Sequence, residues 1–153
     1  MTNMEKKQTG FEEVIIDRRM VTRVTKWWRR MSFRVVVIVG NKKGKIWLGI
    51  GKWPDMAIAT RKAIHDAYKH LVDVPVHGEA ATVPYPVVYK YKSAIIKLIP
   101  AAPGTGLKAG SSIRRVLELA WYQNILSKRV GTRNVLVNAL ATIRALSRFK
   151  AKK

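Results

Sequence analysis

Acidic side chains are scarce in this chain: 9 Asp and Glu stand against 30 Lys and Arg in 153 residues, a formal net charge of +21. No carboxylate lies between Asp17 and Asp55, where eleven bases run from Arg18 to Lys52, and none follows Glu118, after which eight bases run to Lys153. Like charge at that density opposes compaction in a free protein. The sequence therefore asks for a polyanion, and nucleic acid is the commonest one. Cysteine is absent altogether, which excludes disulfides and thiolate metal sites and suits a reducing cytoplasm. Long apolar runs are missing too. The longest, Val35 to Val39, is far short of the ~20 residues of a membrane-spanning helix. Met1 to Gly10 is polar and lacks the apolar stretch of a secretory signal, while Glu12, Glu13 and Asp17 argue against an organellar transit peptide. A soluble cytoplasmic protein is the expectation.

What is present is enough to fold. The apolar fraction is 48%, so this is no basic disordered tail, and the length fits one ordinary domain or two small ones. In Phe11 to Arg30 the β-branched residues Val14, Ile15, Ile16, Val21, Thr22, Val24 and Thr25 recur beside Arg19, Arg23 and Lys26, as in a strand with one wet, cationic face. Ser32 to Val39 reads as a strand buried on both faces. The Gly40-Asn41-Lys42-Lys43-Gly44 cluster reads as a turn. Lys45 to Ile50 then alternates, with Ile46, Leu48 and Ile50 on one side. Pro54 and Asp55 open a helix whose stripe toward the sheet is Ile64, Ala67, Tyr68 and Leu71. Arg61, Lys62, His65, Asp66, Lys69 and His70 take its polar face. The first half is thus β-β-β-α, ending near Val74-Pro75, and the segment with His77-Gly78-Glu79 connects it to a second unit. There, Tyr85–Tyr91 and Ser93–Ile99 are short strands, the first demoted to an edge by Pro84 and Pro86. Ser111 or Ser112 caps a helix with Ile113, Val116, Leu117 and Ala120 inward. Ile125 to Val130 forms another strand, ended by Gly131. Asn134 caps a last helix with Leu136, Ala139, Leu140 and Ile143 inward. The second half reads β-β-α-β-α.

Few constellations carry chemistry. Arg23 to Arg30 places four bases around Trp27-Trp28 at a hairpin tip, where cations fix phosphates and indoles stack on unpaired bases. Neighbouring strand residues point to opposite faces, so one indole folding back over the sheet is the competing reading. Gly104-Thr105-Gly106-Leu107-Lys108-Ala109 matches G-x-G-x-x-[GA], but no acid follows Glu118 to hold a ribose. A tight, backbone-exposing loop that meets RNA phosphate or a protein neighbour fits better than a nucleotide-using enzyme. His65 and His70, five apart, do not face one another as a metal pair would. His65, His70 and His77 offer no catalytic partner, the carboxylates are scattered, and Ser111 and Ser112 lack a base. Lys128, Arg129, Arg133, Arg144, Arg148 and the Lys150–Lys153 tail have no interspersed acid and read as phosphate contacts rather than a solvated face.

From about Phe11 to Leu146 the chain resembles the small-subunit ribosomal protein S-five (universal uS5) family in its bacterial form. The residues that carry the resemblance are Val21-Thr22-Arg23-Val24-Thr25-Lys26 followed by Arg29-Arg30-Met31-Ser32-Phe33, then Val39-Gly40-Asn41 with Gly44, and Gly49-Ile50-Gly51-Lys52. Lys62-Ala63 falls in the family's first helix. Pro100-Ala101 with Gly104-Thr105-Gly106 and Ala109-Gly110 matches P-A-x-x-G-T-G-x-x-A-G, and Arg114 with Val116-Leu117-Glu118 and Ala120 matches R-x-V-L-E-x-A. The chain departs from the pattern where Trp27-Trp28 replace Gly-Gly, Met20 an Arg, Ser111-Ser112 a Gly-Gly or Gly-Ala, Trp121-Tyr122 a Gly-Val, Val135 a Pro and Leu140 a base.

The resemblance implies a two-domain α+β fold: a double-stranded-RNA-binding-like βββα domain over 11–74 and a ββαβα domain over 75–148 with a left-handed βαβ crossover. Residues 1–10 and 149–153 are expected to be flexible termini. It also implies a structural, non-enzymatic protein of the small ribosomal subunit, without cofactor or metal. Such a protein binds rRNA between body and head, neighbours ribosomal proteins S-four and S-eight, with S-three also a candidate, meets messenger RNA near its entry, and bears on decoding accuracy. The expected rRNA-binding residues are Arg19, Arg23, Lys26, Trp27, Trp28, Arg29, Arg30, Lys52, Lys128, Arg129 and Arg133. The expected protein-partner interface is Gly104, Thr105, Gly106, Arg114 and Arg115. A free double-stranded-RNA-binding regulator is the alternative.

Overall fold

The β-branched run at Val35–Val39 forms the centre of the molecule, every residue of it fully buried. In the computed structural model, which describes residues 10–149 apart from His77 and Glu79, it belongs to the second strand of an antiparallel sheet. That sheet has the order β1 (Glu12–Val24), β2 (Arg29–Gly40), β3 (Lys45–Trp53) and β4 (Val72–Asp73). The last is a two-residue strand that sequence pattern did not anticipate. Expectations for the residues before Gly10, for the Lys150–Lys153 tail, and for His77 and Glu79 in the connection lie outside the described residues. Phe149, expected in a flexible terminus, is instead buried, its ring edge-on to Tyr85 at 5.0 Å.

One face of this sheet carries α1 (Met56–Lys69), capped by Asp55, whose side chain accepts from the Ile58 N–H at 3.2 Å. The buried stripe is not Ile64, Ala67, Tyr68 and Leu71. It is Ala59, Ala63 and Ala67, with Ile64 and Tyr68 flanking it and Leu71 beyond the helix end. The reason lies in β3. A Cβ on Gly49 would sit 1.9 Å from the Ala63 carbonyl oxygen, and one on Gly51 1.9 Å from that of Ala59. Two glycines on the strand and three alanines on the helix let the backbones touch, and larger side chains are displaced to the rims. Asp66 reaches across from the helix and accepts from the Ile50 N–H at 3.1 Å, satisfying a donor on the free edge of β3.

The second half builds a mixed sheet of order β5-β6-β8-β7, from β5 (Val87–Tyr91), β6 (Ala94–Pro100), β7 (Leu107–Lys108) and β8 (Ile125–Val130). As Pro84 and Pro86 imply, β5 is an edge strand. Helix α2 (Ser111–Leu119) makes the crossover between β7 and the parallel β8. Its cap is Gly110, without a side-chain bond, rather than Ser111 or Ser112, and Ser112 is buried in the first turn. Its expected stripe, Ile113, Val116, Leu117 and Ala120, is fully buried. Helix α3 (Val135–Leu146) is capped by Asn134, which accepts from the N–H groups of Leu136 and Val137. Its buried face is wider than the expected stripe: Ala139 and Ile143 are joined by Asn138, Ala141, Thr142, Ala145 and Leu146, while Leu136 and Leu140 are only partly covered.

The two halves share one core. Val36, Ile38, Ile46 and Leu48, on the sheet face away from α1, pack with Ile96, Leu98, Ile113, Leu117 and Ile143. Each such side chain contributes about 1.5–3 kcal/mol on burial. Ile50 shares that side of β3 but is 40% exposed, because the apolar cover stops short of it. The junction is tied by polar bonds as well. The Lys42 N–H donates to the Leu119 carbonyl at 3.1 Å, and the buried Tyr122 hydroxyl donates to the Pro75 carbonyl at 2.6 Å. Burial pushes the Tyr122 phenol far above its ordinary pKa. Where α2 ends, Trp121 adopts φ 73°, the left-handed conformation that favours Gly at this position.

Candidate nucleic-acid interface

The arm of the β1–β2 hairpin projects beyond the core, and its register decides which side chains act together. Cross-strand partners share a face of a sheet. Arg19 pairs with Arg34, Arg34 with Lys52 on β3, and Arg23 with Arg30. Alternation along the strands then puts Lys52, Arg34 and Arg19 in one row and Arg30 with Arg23 in another on the same face. That face continues the side that lower down packs on the second half of the chain. Trp28 extends it at the tip, lining a cleft with Arg23, Thr25, Arg29 and Arg30. On the arm, the one described carboxylate on this face is Asp17, held by Arg19 at 3.0 Å. Arg34 is half-buried, and its Nε has no hydrogen-bond partner among the described residues. Five cations against one acid make a surface that an anion completes.

The opposite face is different in kind. It carries Met20, Val24, Met31 and Phe33 with Arg18, Arg29 and Trp53, and the Lys62 ammonium sits 3.3 Å from the Trp53 ring centroid. Arg29 and Arg30, neighbours in sequence, therefore start from opposite faces. A β-bulge between Ile15 and Asp17 decides which β1 side chains join each face, since one extra residue exchanges the faces of that strand beyond it and brings Arg19 and Arg23 onto the side of Arg34 and Arg30.

The tip closes without glycine. The Thr25 N–H donates to the Trp28 carbonyl at 2.8 Å, the Trp28 N–H donates to the Thr25 hydroxyl oxygen at 3.2 Å, and neither Lys26 nor Trp27 has positive φ. Neither indole folds back over the sheet: Trp27 is 79% and Trp28 73% exposed, with the Lys26 ammonium 5.5 Å from the Trp27 ring. Two open π-faces amid cations suit stacking on unpaired bases.

The other expected residues lie elsewhere. Lys128 is on the outer face of the second sheet, paired with Lys97, whereas Arg129 pairs with Ile96 on the inner face and lies near Gly110. Arg133 is exposed in the turn before α3. The Gly104 loop takes left-handed φ at Gly104 (87°) and Gly106 (74°), with open space around both. Conformation rather than crowding requires glycine there. Buried Asn124 holds the loop, accepting from the Gly106 N–H at 3.0 Å and donating to the Ala80 carbonyl at 2.6 Å. A short strand, β7, separates these glycines from α2, so they do not open a helix as the dinucleotide fingerprint demands. Arg114 and Arg115 both grip Glu118, at 2.8 and 3.3 Å. Among the described residues no three His, Asp or Glu gather as metal ligands, and no helix is long and apolar enough to cross a membrane.

Sequence pattern missed Arg34 and Asn124. Arg34 follows the buried strand's first residues and becomes part of the basic face only through strand pairing. Asn124 has no local signal, because its partners are far away in sequence.

Comparison with known proteins agrees with this architecture. The family model described as Ribosomal protein S5, N-terminal domain, matches residues 11–75, and that described as Ribosomal protein S5, C-terminal domain, matches residues 89–153. The Small ribosomal subunit protein uS5 of Thermotoga neapolitana is 50% identical over 136 residues, covering 89% of this chain and 75% of its own length. Its namesake from Thermosynechococcus vestitus is 41% identical over 144 residues, covering 94% and 82%. The Thermotoga maritima protein is 49% identical over 136 residues, covering 89% and 75%. Matched along both halves and folded in the corresponding two α+β units, the chain belongs to the ribosomal protein S5 family, whose members are structural rather than catalytic.

Proposed function

We propose that this chain is a structural constituent of the small ribosomal subunit that docks on rRNA through the arm face bearing Arg19, Arg23, Arg30, Arg34 and Lys52. The observation that carries the reading is that face itself: five cations, one carboxylate, and an unpartnered Arg34 Nε. Each phosphate neutralised there releases condensed counterions, and the rigid ribbon supplies recognition by shape. Trp27 and Trp28, with Lys26 and Arg29 beside them, stack on unpaired bases at the tip. Lys128, Arg129 and Arg133 add rRNA contacts in the second half. The Gly104–Gly106 loop with Arg114 and Arg115 faces a protein neighbour, S-four in this reading, with S-eight a further neighbour. The protein acts at the cytoplasmic ribosome between body and head, near messenger entry, where it bears on decoding accuracy. Its working units are 11–74 and 75–148.

The test is sedimentation of tagged protein from cell lysate at moderate salt. The proposal expects co-migration with small subunits; free sedimentation, as for a solitary double-stranded-RNA regulator, sinks it. R23E/R30E is expected to lose most subunit incorporation. R18E/R61E, which changes net charge equally on the other side of the sheet, is expected to keep it. Equal loss in both would show that net charge alone, not this face, does the binding.

A further inference from the structure

Three cations that the arm does not account for gather where α3 crosses the edge strand β5. The Arg144 guanidinium lies 4.2 Å from the Tyr91 ring centroid, that of Arg148 4.7 Å from the Tyr89 ring, and the Lys92 ammonium 5.6 Å from Tyr91. All three are exposed. No described carboxylate pairs with them: Asp17, Glu12, Asp73, Asp66 and Glu118 are each paired elsewhere, Asp55 caps α1 and Glu13 accepts from Tyr68. Lys92 moreover holds φ 51° in the β5–β6 turn, a conformation that disfavours side chains other than Gly and Asn.

The two arginines are placed by the end of α3, which lies along β5. Tyr89 and Tyr91 are two apart on the strand, about 6.6 Å, while Arg144 stands in the last turn of α3 and Arg148 just past its cap Ser147. Each guanidinium thereby reaches its own ring. Stacking occupies the plane of the guanidinium and leaves its in-plane N–H groups free, in a fork that suits phosphate oxygens. Resting on a ring also removes much of the rotamer freedom that a solvated arginine loses on binding.

We propose that Arg144 and Arg148, with Lys92, form a second RNA-backbone site, a preset fork for two phosphodiesters on the face opposite the uncovered side of the second sheet. It rests on the reading of the chain as an rRNA-binding protein and extends the RNA-facing surface to an element separate from the arm. RNA is favoured over an acidic peptide because the site is cationic throughout and both of its arginines sit in the acid-free stretch after Glu118.

The experiment is rebinding of purified full-length variants to small subunits stripped of this protein by salt, measured over a salt series. For R144Q/R148Q the slope of log K against log salt is expected to fall by about 1.8, or 0.9 for each phosphate no longer neutralised. R144K/R148K, which keeps charge but not the fork, is expected to retain most of the slope and still bind several-fold more weakly. An unchanged slope and affinity in R144Q/R148Q, with wild-type protein binding normally, overturns the second site and leaves the arm reading intact. Failure of wild-type protein to rebind at all overturns that reading instead. A photo-crosslinking side chain at exposed Ser147, the α3 cap between Arg144 and Arg148 in the chain, is expected to label RNA; labelling of a protein neighbour alone overturns the assignment to RNA. Thermal melting of each variant confirms that the fold is kept.

Discussion

From Val35 to Val39, β2 is buried between α1 and the second half of the chain, while from Arg29 to Ser32 the same strand, still paired to β1, stands mostly in water. Backbone hydrogen bonding is continuous across the change. What differs is the source of order. The rooted part is held by packing on both faces, so its side chains are chosen for volume. The free part is held by strand pairing and a four-residue tip, so its side chains are free to be chosen for a partner. Exposed Met20 and Met31, 60% and 57% accessible, and the row of cations belong to that second regime.

The contrast can be broken at several points. The largest effect belongs to the rooted part: Gly51→Ala should destabilise the fold by about 3 kcal/mol, the upper range for overpacking, because its methyl meets the Ala59 backbone. Urea unfolding measures it, and a loss below 1 kcal/mol would mean that α1 lifts off the sheet freely. On the arm, Met20→Ala and Met31→Ala should each change stability by no more than about 0.5 kcal/mol. A cost of several kcal/mol in either would show that the arm leans on an apolar cluster of its own. The smallest effect concerns the base of the hairpin, where the Tyr68 hydroxyl donates to Glu13 Oε1 at 3.0 Å and edge-packs on Phe11 at 5.7 Å. Burial, and then Glu13, push its pKa from 10 up to about 12. Because the folded state holds the proton more tightly, this contribution is complete below pH 10 and is lost as pH rises toward 12. Y68F, compared with wild type in urea at pH 9 and pH 11.5, should narrow the gap between the two proteins at the higher pH. A gap that stays constant sinks the coupling.

Much of the fold is legible from residues alone, and the failures share a cause. The buried run Val35–Val39, the helix opening at Asp55, the cap Asn134 and the inward stripe of α2 are local signals, and the structure agrees with each. The stripe of α1 is not legible in this way, because alanines at 59, 63 and 67 look unremarkable until Gly49 and Gly51 are placed beneath them. Pairing decides the rest. Arg29 and Arg30 look like one cluster in sequence, and Arg34 looks like part of the buried strand. Alternation along β2 sorts them onto faces, but a bulge near Ile15 and the register to Lys52 are needed to bring Arg19, Arg23 and Lys52 beside them, and no short window contains both. The indoles at the tip show the limit of analogy: Thr25 closes a turn where the family pattern has Gly-Gly, without left-handed backbone.

The arm also has a length. Arg34 and Trp28 are six strand residues apart, about 20 Å along the ribbon, with Arg30 and Arg23 between them. A single nucleotide step does not cover that span, so its root and its tip meet different stretches of any RNA that binds along it. Being paired strand on strand, the ribbon resists stretching far more than bending. In form it is a tie rod: a pull on the tip would be carried along the paired strands to the Arg34 row, and through Val36 and Ile38 to the core that joins the two halves of the molecule.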